Sequence, residues 1–237
     1  MAVKVAAGKI NAVTGEPWTN EMSESPQDYL VVPDQPWLDG FSVSKGTIRQ
    51  FVAMPLGEGY TAEEQLTGAA EHGGLQIIVY PMKAAIYEAR YKSALVYSGL
   101  TSFSVAESPP QEMGLAPGGL MRQEIYEDEY GFDAWETSVR SRCFVHILNS
   151  VQYLAVCGVE PPTLPPTAAE YTNAGLPWFD YYGGDLKALE GSAKLANLDS
   201  VAAKMWKVGA GSLAGNDPVE PAVIKQLNRQ RVREGEF

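Results

Sequence analysis

Cysteine and histidine are scarce in this 237-residue chain, with two of each. Cys143 and Cys157 are too few for a disulfide framework, and their apolar neighbours predict buried, reduced thiols in a cytoplasmic protein. The histidines, His72 and His146, stand 74 residues apart. Cys143 and His146 have C-x-x-H spacing, but a separation of three in a strand sends them to opposite faces. Too few ligands remain for zinc, so no metal and no cofactor is expected. A G-x-S-x-G elbow is also missing, and no catalytic residue is assigned. Positive charge is short: 18 Lys and Arg stand against 29 Asp and Glu, giving −11. That balance argues against nucleic acid or an anionic membrane as the main partner. No apolar run approaches the roughly 18 residues of a membrane span, and the first residues lack a signal-peptide core.

What is present is an ordinary globular composition, 45% hydrophobic and 20% charged, with 23 glycines and 16 prolines. Such punctuation predicts short elements and many turns. VKVAA near the N-terminus reads as a short strand, and residues 11–36 as loop around a possible strand at YLVV, 29–32. GTIRQFVAMP (46–55) and HGGLQIIVYPM (72–82) read as strands closed by proline. Between them TAEEQLTG (61–68) carries a capping box, Thr61 and Glu64, and a terminal Gly68, which predicts a short helix. Residues 84–97 fit helix or strand. ESPPQEMGLAPGG reads as a connector, LMRQEIYEDEY (120–130) as a strand, and FVHIL (144–148) as another. SVQYLAV follows as a short helix with Ser150 as N-cap and Gly158 beyond its end, and TAAEYTNAG (167–175) as another capped helix.

The expected fold is α+β: a mixed or mostly antiparallel sheet of short strands with short capped helices. One body spans 1–205, and short internal echoes raise two related halves, about 1–110 and 118–205. Residues 206–219 read as a flexible linker. Residues 220–237 form a basic tail with a helix over 220–232, tethered to an acidic body.

The blocks VVPDQPWLDGF, IRQFVAMPLGEGYTAEEQLTG, GGLQIIVYPMK, GGLMRQEIYEDEYGFDAWE and AGLPWFDYY, in that order, resemble an uncharacterised family of microbial hypothetical proteins. The resemblance covers residues 29–201 and implies no activity.

Three segments invite chemistry. GEGYTA (57–62) has the outline of a dinucleotide loop, but its helix is short and the next strand ends in lysine, so a tight turn before a capped helix is the better reading. QPWLDG and LPWFDYYGGD pair aromatics with carboxylates. Trp37 and Trp178 read first as core anchors, with Asp39 and Asp180 capping turns. The alternative is a glycan or small-molecule site made by Trp37, Asp39, Trp178, Asp180, Tyr181 and Tyr182, or, with paired carboxylates, an unrecognised hydrolase. The acidic run 124–136 reads as a solvated loop or edge strand. Its Glu124, Glu127, Asp128 and Glu129 also offer a docking surface for the tail residues Lys225, Leu227, Arg229, Arg231 and Arg233. A non-catalytic, self-assembling or protein-interaction protein, a homo-oligomer through that contact, is the leading expectation.

Overall fold

The computed structural model describes residues 1–90, 113–159, 173–174 and 187–209, with the backbone alone at 150–151, 178–181 and 224–227. The fold is α+β, built from antiparallel sheets of short strands with a few short helices. The largest sheet centres on β1 (Ala2–Ala7). It pairs antiparallel with β2 (Ile10–Asn11), β3 (Leu30–Val31) and β6 (Leu75–Tyr80), and β6 pairs with β8 (Ser141–Val145). A second sheet has the order β4 (Gly40–Ser44), β5 (Thr47–Pro55) and β7 (Met113–Arg122). Strands from residues 1–80 and from residues 113–145 thus share the same sheets, since β7 lies on β5 and β8 on β6.

The β1–β2 connection is a two-residue turn, Gly8-Lys9, with both φ angles positive. This is the turn geometry whose twist suits a tight hairpin. Lys9 is the one non-glycine at positive φ among the described residues.

Helices follow their caps. In α1 (Ala62–Thr67) the Thr61 hydroxyl accepts from Glu64 N–H, Glu64 reaches back to Thr61 N–H, and Gly68 ends the helix in the left-handed region. This matches the sequence reading. In α3 (Ser150–Cys157) the cap is Asn149, with Gln152 completing the box, so the helix begins one residue earlier than a Ser150 cap implies. Gly158 closes it as expected. The ambiguous stretch begins as helix α2 (Ala84–Arg90). Two helices follow near the end of the body, α4 (Ala193–Ala196) and α5 (Val201–Lys207). Trp206 and Lys207 complete α5 rather than open a linker. The capped helix expected over 167–175 lies almost wholly outside the described residues.

Packing joins the sheets. Phe41, Val43 and Leu115 of the smaller sheet meet Ala7, Ile10 and Ala12, with Ala62, Leu195 and Leu198 closing the cluster. Phe41 and Phe51 stack edge to face at 4.8 Å. A second cluster gathers Tyr29, Ile78, Tyr80 and Trp135, and a third gathers Val13, Leu30, Ile48 and Ile125.

Four sequence expectations are corrected. The strand expected over 120–130 starts earlier and stops at Arg122, and its first half lies in the supposed connector. A bulge between Arg49 and Phe51 absorbs the irregularity opposite Pro117, which cannot donate to the ladder. The tail forms a strand at Ile224–Leu227 (β10) in place of a helix, parallel to β9 (Trp178–Tyr181). Both cysteines are exposed rather than buried, because β8 is an edge strand and α3 presents Cys157 outward. The acidic run is not simply solvated, since Ile125, Tyr126, Ala134 and Trp135 within or beside it are buried.

Candidate functional site

One glutamate on α1, Glu64, explains the glycine-rich turn. Glu64 Oε1 accepts from the backbone N–H of Gly57 at 2.8 Å and of Gly59 at 2.7 Å. Its Oε2 accepts from Thr61 N–H at 3.1 Å and from the Thr61 hydroxyl at 2.7 Å. Burial alone would raise this carboxyl, but the hydrogen bonds from Thr61, Gly59 and Gly57 outweigh it and hold the pKa below the ordinary glutamate value. The amides that would hold a phosphate in a dinucleotide loop therefore hold the chain's own carboxylate. This is the tight-turn reading of GEGYTA.

The aromatic–aspartate segments separate. Trp37 is half-buried and lies in the loop before β4, so it is not a fully enclosed core anchor. Its carbonyl accepts from Gln35 Nε2 at 3.0 Å. Asp39 pairs reciprocally with Gln123: Asp39 N–H donates to Gln123 Oε1 at 3.0 Å, and Gln123 Nε2 donates to Asp39 Oδ2 at 2.7 Å. Desolvation raises the Asp39 pKa, and the Gln123 bond offsets part of that rise. Trp178, Asp180 and Tyr181 lie on β9, opposite Ile224, Gln226 and Leu227 of β10. Tyr182 is outside the described residues.

Among the tryptophans whose burial is described, the fully enclosed one is Trp135, which the sequence places in the acidic run and which no turn motif marks. Its indole Nε1 and the Tyr29 hydroxyl both donate to Asp128 Oδ2 at 2.7 Å, while Tyr130 N–H donates to Oδ1 at 2.8 Å. Burial first, and then the Asp128 carboxylate, push the Tyr29 phenol well above its usual pKa, so it remains a donor. Asp128 is therefore a structural acceptor. Of the other acidic candidates, Glu127 and Glu129 are exposed and Glu124 is half-buried. Lys225 and Leu227 lie on β10 opposite Phe179 and Tyr181, and Arg229, Arg231 and Arg233 are outside the described residues.

Sequence reasoning also missed Lys4. The alternation in AVKVAA would put it on the solvent side, yet it faces inward and is fully enclosed. Its ammonium pairs with Asp28 Oδ2 at 2.7 Å, donates to Thr19 and Glu21 and sits 5.4 Å from the Trp18 ring centroid. The pairing satisfies a charge that burial would otherwise make costly.

The most distinctive surface is β8 itself. All five residues, Ser141–Val145, are exposed, while its partner β6 alternates half-buried and buried. The register from Leu75↔Val145 to Val79↔Ser141 is continuous, with no bulge, and the strand contains no proline. Among the described residues nothing pairs with its outer side. Phe144 is 57% exposed and Val145 38%, and the following helix adds exposed Leu154 and Val156. Open, unbulged edges without proline are usually covered or blunted in proteins that remain single.

His72 and His146 line one cleft beside that edge. Among the described residues no group of three His, Cys, Asp or Glu side chains is placed to hold a metal ion. No described helix is long and apolar enough to cross a membrane, and none of the described cysteines is in a disulfide. No protein family matches this chain, and neither the curated proteins nor the solved structures give a significant match.

Proposed function

We propose that this chain is a non-catalytic assembly protein whose copies join through the outer edge of β8. The observation that carries the reading is the exposure of all five residues of an unbulged, proline-free edge strand bearing Phe144 and Val145. A second copy suits the edge because an antiparallel pair about a two-fold axis is self-complementary. With Cys143 on the axis, Arg142 stands opposite Phe144 of the other copy and Ser141 opposite Val145. A cation beside an aromatic face is a favourable cross-strand pair, and no like charges meet within the strand. The main-chain ladder supplies hydrogen bonds that water otherwise takes.

The basic tail supplies a second, salt-sensitive contact in the same reading. Arg229, Arg231 and Arg233 are complementary in charge to the exposed Glu127 and Glu129. Reduced, exposed thiols at Cys143 and Cys157 fit a cytoplasmic setting.

Solution mass by light scattering tests the proposal. The chain should run at about twice its 25.7 kDa monomer mass, and Phe144→Asp should return it to monomer with an unchanged circular dichroism spectrum. A wild-type monomer at every concentration would refute the reading.

A further inference from the structure

The end of the main sheet where the β1–β2 turn, the loop before β6 and the exit of β8 meet forms a cleft of 330 Å³. Its volume lies in the lower part of the range of small-molecule sites. Lys9, Glu71, His72, Gln76, Phe144 and His146 are among its walls. This one cleft gathers both histidines of the chain and a lysine, in a protein of net charge −11. Glu71 is the single carboxylate on its lining, and it lies 3.7 Å from His72 Nε2.

The cleft is built rather than incidental. Glu63, buried beneath it, accepts from the backbone N–H groups of Glu71, His72 and Gly73 at 3.0, 2.9 and 2.8 Å. Gln76 is also buried. Its Oε1 accepts from Lys9 N–H at 2.6 Å, and its Nε2 donates to Gly73 O at 2.9 Å. Gly8 N–H donates to Gly74 O, which ties the hairpin turn to the loop. At Gly74 a Cβ would lie 2.4 Å from Val145 O, so the loop and the exit of β8 touch without room for a side chain. Each wall is therefore held by hydrogen bonds or close packing, so the lining residues stand on a fixed frame. Fixing those groups in advance lowers the entropy lost when a ligand is bound.

We infer that this cleft binds a small oxyanion of the phosphate class, with the Lys9 ammonium and the two imidazoles as its donors and the exposed Phe144 ring as an apolar flank. The Lys9 ammonium offsets the Glu71 carboxylate, and each imidazole carries an N–H that can donate. No other charged group faces the cleft among its lining residues, and Glu63 behind it is engaged by three amides. This inference is independent of assembly through β8, although Phe144 belongs to both surfaces.

The test is proton NMR of the imidazole resonances, which are few enough to assign with His72→Gln and His146→Gln. Inorganic phosphate is titrated into the full chain at about pH 6, with sodium chloride of matched ionic strength as the control. Both histidines should shift with one common binding curve. Lys9→Asn removes the ammonium while keeping a residue that tolerates positive φ, and it should weaken binding by about tenfold. Unmoved resonances, equal shifts in sodium chloride, or an unchanged affinity in Lys9→Asn would each overturn the inference. Because none of these variants lies in β8, a monomeric wild type leaves this test intact.

Discussion

The carboxylate of Glu63 accepts from Gly73 N–H at 2.8 Å and would collide with any side chain at Gly8, whose Cβ would fall 2.4 Å from Oε2. One buried glutamate on α1 thereby fixes the loop before β6 against the β1–β2 turn. Its neighbour Glu64 performs the same task on the opposite side, binding the turn at Gly57 and Gly59.

Glu63→Ala leaves three amide donors without their acceptor, and one of them, Gly73 N–H, is in a buried setting. A buried donor left unsatisfied costs about 1–3 kcal/mol, so chemical denaturation should show a loss of at least about 1 kcal/mol. Gly8→Ala should also destabilise, both through the contact with Glu63 and through its positive φ. A near-neutral result for Glu63→Ala would mean that water replaces the carboxylate.

Acid should weaken the turn at Gly57–Gly59. The folded pKa of Glu64 lies below its unfolded value of about 4.3, so its contribution is full above that value and is lost as pH falls through the lower folded one. Wild type and Glu64→Gln should therefore differ in stability at neutral pH and converge in strong acid. Parallel stability curves down to low pH would contradict the assignment.

Asp39 has the opposite sign. Its raised pKa means that the folded state disfavours the charged carboxylate at neutral pH, a cost relieved as pH falls through the raised value. Asp39→Asn keeps an oxygen to accept from Gln123 and removes the charge, so the melting temperature should hold or rise slightly. A marked fall in Tm would show that the charge itself is needed.

Asp128 couples two aromatic donors. Asp128→Asn turns an amide group toward some of Tyr29, Trp135 and Tyr130, and should cost about 2 kcal/mol. In a double-mutant cycle with Tyr29→Phe the losses should be less than additive, because both remove the same 2.7 Å bond. Additive losses would place Tyr29 and Asp128 in separate networks.

Truncation after Gly209 removes β10 and the basic tail. If the tail reinforces assembly, the truncated chain should keep its dimer through β8 but lose the salt dependence of its dissociation constant. Conversion to monomer by truncation alone would make the tail, and not the β8 edge, the principal contact.

Local chemistry is what the sequence by itself determined. The capping box at Thr61–Glu64, the glycine ends of α1 and α3, the proline-closed strands β5 and β6 and the α+β class all rest on contacts a few residues apart, and they stand in the structure. Tertiary structure decided the rest, because it depends on partners that composition does not name. Lys4 is inside because Asp28, Thr19 and Glu21 come to meet it, and Asp128 is a core acceptor because Tyr29 arrives from 99 residues away. Cys143 is exposed because β8 falls at the edge of its sheet, a matter of strand order that alternating hydrophobicity does not encode. The same strand order draws His72, His146 and Lys9 to a single cleft, since three separate turns end at one corner of the sheet.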